Sequence, residues 1–311
     1  MKIELREAKP SRVAGLFISL LALSFGTVPL CAEVKVLGVD PHQTDPAITL
    51  VQGPHVAVYD PLATPRHRLV LFLVGTRSKP AGSLAIDKSF AELGFHAISL
   101  DYDNNLMAAS YAHDRDPSAF GRYRQAIVTG ASVTPDVQTN PANSILNRFQ
   151  RVLAYLVKND PNGGWDEFLN HDLPVWSNII VAGHSQGAGH AAYIGQMFRV
   201  DKVLMFSGPQ DYMDDLHQPA PWQGRKSATP PARFFAFLNL KDPFNEQHQV
   251  ANCVVLMHLS QPDTLMVKPG DEIQGEHHIL VNDFPTEQRH GSTLFPQFEN
   301  VWKYLVTIDE E

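Results

Sequence analysis

The sequence predicts an α/β fold in which helices cover both faces of a mostly parallel sheet of about eight strands. Nearly continuous apolar runs at 68–74, 95–100 and 202–206 are typical of strands that are buried on both sides. Helical patterns and short connections separate these runs, as in strand–helix–strand units whose strands are parallel. The chain has 311 residues, 44% of them hydrophobic, and no flexible linker divides it. One α/β domain is therefore expected.

The first elements lead into this sheet. Short β-type runs at 34–37, 48–51 and 55–59, separated by Pro and Gly, predict antiparallel lead-in strands. The helix after the strand at 68–74 is expected to continue to Leu93, where Gly94 can adopt the left-handed conformation that ends many helices.

Two irregular segments, 107–142 and 212–232, are predicted to be lid-like insertions at the strand ends. Between and after them, the pattern predicts an amphipathic helix at 143–158 and strands at 233–240 and 278–282, before a closing helix. The aromatic residues of the two segments fit an apolar substrate pocket and packing under loops equally well: Tyr111, Phe120, Tyr123, Tyr212 and Trp222.

The stretch 175–197 contains Gly183-His184-Ser185-Gln186-Gly187, a G-x-S-x-G motif between an apolar strand and a helix rich in small residues. The glycines allow a tight reversal that holds Ser185, strained, at the tip of the turn. The positive end of the following helix favours a developing oxyanion there. The alternative is a glycine-rich turn with an ordinary serine, but the small residues that follow favour a nucleophile.

A serine nucleophile needs a histidine to take its proton and a carboxylate to orient that histidine. In an open parallel sheet, these groups lie at the carboxyl ends of strands. Of the 14 histidines, His290 fits best because it follows the last strand. His277 and His278 begin that strand, at the wrong end, whereas His184 and His190 belong to the turn and helix of the nucleophile itself.

Two aspartates are candidates for the orienting carboxylate. Asp242 follows the strand at 233–240, and Asp211 has the same relation to the strand at 202–206. Asp242 is favoured because the segment after Asp211 is expected to draw that residue away. For the oxyanion hole, the predicted backbone N–H donors are Gln186, directly after the nucleophile, and Thr76, after the strand at 68–74.

The N-terminus is predicted to be a signal peptide. Four basic residues precede an uncharged apolar run at 13–30, and cleavage is expected after Ala32. The alternative is an uncleaved membrane anchor, but Gly26 and Pro29 interrupt the run. The mature domain at 33–311 is therefore expected to be secreted or periplasmic, without stable membrane insertion. It would keep only Cys253, a predicted core thiol that has no disulfide partner in the chain.

Charge and motifs argue against several other functions. The net charge of −8 and the lack of a basic stripe exclude nucleic acid as an expected partner, and they provide no case for an acidic substrate. No metal or organic cofactor is implied, because H-E-x-x-H, paired C-x-x-C and phosphate-loop motifs do not occur. The oligomeric state is left open.

The phrase WSNIIVAGHSQGAGHAAYI and the order Ser185, Asp242, His290 resemble the α/β-hydrolase superfamily, over essentially all of the mature chain. The phrase looks like a bacterial group of mostly uncharacterised exported hydrolases, although Gly75-Thr76 differs from the His-Gly-Gly-Gly loop of hormone-sensitive-lipase-like esterases. The resemblance implies a serine hydrolase that cleaves a small-molecule carboxylic ester through an acyl-enzyme. The alternatives are a peptidase or thioesterase with the same triad, and a non-catalytic binding protein on this fold.

Overall fold

A computed structural model describes residues 34–244 and 246–308, and nine strands within these ranges form its central sheet. The predicted signal peptide lies outside the described residues. In chain order, the strands are β1 (Lys35–Val39), β2 (His55–Tyr59), β3 (Leu69–Leu73), β4 (His96–Leu100), β5 (Ile179–His184), β6 (Lys202–Phe206), β7 (Phe234–Asn239), β8 (Thr264–Met266) and β9 (Ile279–Asn282).

The strand order across the sheet is β1-β2-β4-β3-β5-β6-β7-β9-β8. β1 pairs with β2, and β2 with β4, in antiparallel fashion, whereas the other ladders of the sheet are parallel. β3 to β7 are buried along their whole length, apart from the ends of β4 and β5, which explains their apolar sequences. The predicted α/β class with a mostly parallel sheet is confirmed.

Seven α-helices accompany the sheet in the described part of the chain. They are α1 (Pro41–Thr44), α2 (Leu84–Glu92), α3 (Ala119–Thr129), α4 (Ile145–Asn159), α5 (Gln186–Met197), α6 (Glu246–Leu256) and α7 (Glu299–Thr307). The connection through α2 moves from β3 outward to β4, whereas the connection through α3 and α4 returns past β3 to β5. Right-handed crossovers in opposite directions place helices on opposite faces, and α2 accordingly packs on α7, and α3 on α4 and α5.

This reversal of direction creates a crevice at the carboxyl ends of β3 and β5, which are adjacent and parallel. Open α/β sheets bind their ligands at such a point, because the loops from the two strands diverge there. The loop that begins at Gly75 and the turn at Ser185 both start at this edge, since Leu73 of β3 pairs with Gly183 of β5.

Two features of the sheet differ from the expectations. The run at 48–51 is not a strand: the N–H groups of Thr49 and Leu50 donate to the side-chain Oδ1 of Asn143, each at 2.9 Å. A buried asparagine side chain thus replaces a neighbouring strand as the acceptor. β8, which was not predicted, is a three-residue edge strand beside β9 and is too short for its sequence to show a period.

The two predicted insertions are more regular than their sequences suggest. Segment 107–142 contains α3, and segment 212–232 begins with a short hairpin that pairs Tyr212–Met213 with Gln218–Pro219. Most of their aromatic side chains join the hydrophobic core, namely Tyr111, Phe120, Tyr123 and Trp222. Packing under the segments is therefore the role that these four side chains have, while the lid function itself stays a prediction.

A buried carboxyl group makes the stability of this domain dependent on pH. Asp87 of α2 is fully buried and accepts hydrogen bonds from Ser99 Oγ at 2.7 Å and Ser83 Oγ at 3.3 Å. Burial raises its pKa from 3.8 to about 7, and the serine hydroxyls oppose that rise only in part. The folded protein therefore retains a proton that the unfolded chain releases at lower pH, so stability is lost as the pH rises from about 4 to about 7.

We expect Asp87→Asn to stabilise the protein at pH 8 by up to a few kcal/mol, at about 1.4 kcal/mol per unit of pKa shift, and to change stability little at pH 4. Asparagine resembles the protonated acid and has no charge to desolvate. Urea unfolding at the two pH values measures the difference. Asp263→Asn, at an exposed aspartate, is the control. Equal stabilisation by Asp87→Asn at both pH values would contradict the buried-acid explanation.

Candidate active site

Ser185 occupies the sharp turn between β5 and α5, with φ 57° and ψ −119°. This conformation is unfavourable for a residue with a side chain and often marks a functional position. The flanking glycines make it possible: a Cβ atom at Gly183 would lie 2.3 Å from the carbonyl oxygen of Gly187, and one at Gly187 would lie 1.9 Å from that of Leu73. The structure therefore shows the strained turn that the motif predicts.

His290 and Asp242 come together beyond the carboxyl ends of β9 and β7. Nδ1 of His290 lies 2.6 Å from Oδ2 of Asp242, and the Asp242 side chain is fully buried. Burial alone would raise the pKa of Asp242. Hydrogen bonds from His290 and from Gln249 Nε2, together with the charge of a protonated His290, outweigh it and hold this pKa below its usual value of 3.8. The carboxylate therefore stays ionised and fixes the orientation of the imidazole.

Asp211, the other candidate carboxylate, is engaged elsewhere. It forms a fully buried ion pair with Arg124, in which Nη2 lies 2.5 Å from Oδ1 and Nε donates to Oδ2 at 2.9 Å. Trp222 Nε1 also donates to Oδ2 at 2.9 Å. Arg124 in turn donates from Nη1 to the carbonyl oxygen of Gln186 at 2.7 Å. The Asp211–Arg124 pair thus supports the backbone beside the nucleophile. Asp242, and not Asp211, is the carboxylate that contacts His290.

The backbone of His290 is also held in place. Its carbonyl oxygen accepts a hydrogen bond from Ser207 Oγ at 2.7 Å and lies 3.0 Å from Nε2 of His184. Burial, together with the charge that His290 carries when it is protonated, lowers the pKa of His184 to about 4, so this ring is neutral at pH 7. Its proton lies on Nε2, because the carbonyl oxygen can only accept a hydrogen bond. Ser207 directly follows β6, a position from which its role could have been suspected. The role of Arg124, within the irregular segment, has no such signal in the sequence.

The two residues predicted for the oxyanion hole meet through their side chains, since Thr76 Oγ1 donates to Gln186 Oε1 at 2.8 Å. The same oxygen accepts from the N–H of Ala108 at 3.3 Å. Gln186 is the first residue of α5, so its own N–H has no acceptor within the helix. The arrangement keeps the loop after β3 close to the nucleophile turn, as a two-donor hole requires. The donor role of both residues stays a prediction.

Several of these groups lie at the wall of a cavity of about 310 Å³ that is open to solvent. Ser185, His290 and Thr76 line it, together with the apolar side chains of Met107 and Phe244. The five aromatic residues of the two insertions do not line it. Among residues 34–244 and 246–308, no three His, Cys, Asp or Glu side chains are grouped as a metal site would need. Within the same ranges, no helix is long and apolar enough to cross a bilayer.

No protein-family model matches the chain, and no curated protein matches it. Solved structures with a similar fold include the Thermus thermophilus protein TT1662, which is 17% identical over 88% of this chain and 97% of that one, with a TM-score of 0.44. A hyperthermophilic esterase from Pyrobaculum calidifontis is 13% identical over 89% and 83% of the two chains, with a TM-score of 0.44. XC6422 from Xanthomonas campestris, a serine hydrolase without a lid, is 12% identical over 88% and 94%, with a TM-score of 0.41. At such identities and TM-scores, these likenesses say nothing about the chemistry of this site.

Proposed function

We propose that the protein is a serine hydrolase that cleaves carboxylic esters by acyl transfer. The observation that carries the proposal is the 2.6 Å contact between His290 Nδ1 and the buried Asp242, at a cavity whose wall also holds the strained Ser185. A histidine oriented by a carboxylate and a serine at a strained strand-to-helix turn are the parts that acyl transfer needs.

In the proposed mechanism, Ser185 Oγ attacks the ester carbonyl carbon while its proton moves to Nε2 of His290. Asp242 accepts the hydrogen bond from Nδ1–H, which leaves Nε2 as the basic nitrogen and stabilises the imidazolium that forms. The N–H groups of Gln186 and Thr76 bind the oxyanion of the tetrahedral intermediate. The intermediate then collapses, and His290 gives its proton to the leaving alcohol. Water next attacks the acyl-enzyme while His290 takes a proton from it. The second tetrahedral intermediate collapses by breaking the bond to Ser185 Oγ, which regains the proton from His290 as the carboxylic acid leaves.

The proposal is tested by two measurements on the purified protein. We expect a fluorophosphonate probe to label Ser185, because a phosphonate reacts only with a serine that is activated by its base. We also expect hydrolysis of a 4-nitrophenyl ester in a panel that includes a matched thioester and anilide. Faster cleavage of the thioester or anilide would replace the esterase by a thioesterase or peptidase. No labelling and no hydrolysis would indicate a binding protein on the same fold.

A further inference from the structure

A single cation, Arg77, lines the candidate catalytic cavity within the described part of the chain. The other side chains that line it are neutral or histidine, and none is Asp or Glu. The guanidinium group of Arg77 forms no ion pair or side-chain hydrogen bond with any described residue. Among the described residues, the neighbouring cavity is lined by one carboxylate, Asp214, which contacts two histidines and not Arg77. Its oxygens lie 3.5 Å from a nitrogen of His248 and 3.8 Å from a nitrogen of His113. Arg77 is therefore available to a ligand.

The backbone holds Arg77 in a conformation that would suit glycine better. Its φ is 56°, in a turn where the N–H of Ser78 donates to the carbonyl oxygen of Gly75 at 3.1 Å. A side chain in the left-handed region costs about 1 kcal/mol or more, so the surrounding structure must maintain the turn.

Asn104 maintains this turn. Its buried side chain donates from Nδ2 to the carbonyl oxygens of Gly75, at 2.8 Å, and Ser78, at 2.9 Å. The backbone carbonyl oxygen of Asn104 accepts a hydrogen bond from the N–H of Arg77 at 3.2 Å. The side-chain oxygen of Asn104, Oδ1, accepts one from Gln52 Nε2 at 2.7 Å. Because these bonds fix the turn next to Thr76, the backbone that carries the Arg77 side chain is in place beside the cavity before any substrate arrives.

We propose that Arg77 selects esters that carry a carboxylate near the scissile bond. An arginine fork matches the two oxygens of a carboxylate, and such charge-assisted bonds are stronger than neutral ones. The acidic net charge of −8 describes the whole chain, whereas charge within a cavity is set by the few side chains that line it. The inference rests on the proposed esterase function and adds a substrate class to it.

The test compares kcat/KM for two esters of equal chain length, 4-nitrophenyl hydrogen glutarate and 4-nitrophenyl valerate. A second pair, 4-carboxyphenyl valerate and its methyl ester, places the carboxylate on the alcohol side. In Arg77→Gly, we expect the ratio of charged to neutral ester to fall about tenfold in one of the two pairs, because a charge-assisted hydrogen bond is lost. Glycine adopts the φ of this position freely, so the fold is kept, and thermal unfolding checks this.

Lys79 supplies the matched control, because it is an exposed cation on the same loop that does not line the cavity. Lys79→Ala should leave the ratio at its wild-type value. In the wild type, 1 M NaCl should reduce the preference for the charged ester, since screening shortens the range of the attraction to about 3 Å.

An unchanged ratio in Arg77→Gly for both pairs would overturn the inference and leave the proposed esterase function intact. Failure of the wild type to hydrolyse any of these esters would overturn the proposed function, and this inference with it.

Discussion

Replacement of Ser185 by alanine is expected to lower kcat for a 4-nitrophenyl ester by about a millionfold, close to the uncatalysed rate plus what the oxyanion donors alone provide. The loss should be this large because the hydroxyl, its base and the orienting acid act as one unit. Without the oxygen, His290 and Asp242 have no proton to move. Alanine also removes the site of fluorophosphonate labelling, so both readouts should disappear together.

The stability of the variant separates chemistry from folding. Ser185 has a strained backbone with φ 57°, and alanine keeps the Cβ atom and thus the same strain, so the urea midpoint should change little. Ser177→Ala, at an exposed serine that does not line the cavity, is the control and should retain wild-type kcat. Undiminished hydrolysis by Ser185→Ala would exclude Ser185 as the nucleophile.

Replacement of Asp242 by asparagine is expected to lower kcat by about 10⁴-fold. The asparagine amide would donate a hydrogen bond to Nδ1 of His290, where the carboxylate accepts one at present. The imidazole proton would then lie on Nε2, so the ring could not take the proton of Ser185. Substrate binding involves other groups, so KM should change much less than kcat.

Asp211→Asn is the matched comparison and should fail in a different way. It leaves the fully buried Arg124 without a counter-charge. Loss of one partner of a buried ion pair typically costs about 3–5 kcal/mol, a large fraction of the total stability of a folded protein. We therefore expect a large fall in the urea midpoint but a kcat per folded molecule that stays within about tenfold of the wild type. A 10⁴-fold loss of kcat in a folded Asp211→Asn, with an active Asp242→Asn, would reverse the assignment.

The structure also shows why the two aspartates looked alike in sequence. Both follow a buried strand, and strand-end position is the criterion that the sequence offers. What separates them is Arg124, which lies in α3, far from both in the sequence, and pairs with Asp211 in the folded chain. A partner that is brought in by a different element leaves no trace near either residue in the chain.

The charge of the cavity is a second feature that composition could not supply. The net charge gives no reason to expect an acidic substrate, yet Arg77 lines a cavity whose described lining has no carboxylate. In the same way, the aromatic residues of the two insertions could have lined the pocket or packed beneath it. The structure places Tyr111, Phe120, Tyr123 and Trp222 in the core.

The α/β class, the parallel strands and the strained serine turn could be predicted from the sequence, because these depend on contiguous residues: apolar runs, helical periods and the glycines beside Ser185. Three other features became clear from the three-dimensional structure: His290 contacts Asp242 and not Asp211, His184 and Ser207 hold the His290 backbone, and Arg77 lines the cavity. These depend on contacts between residues tens of positions apart or more, whose distances are set by how the strands are ordered in the sheet.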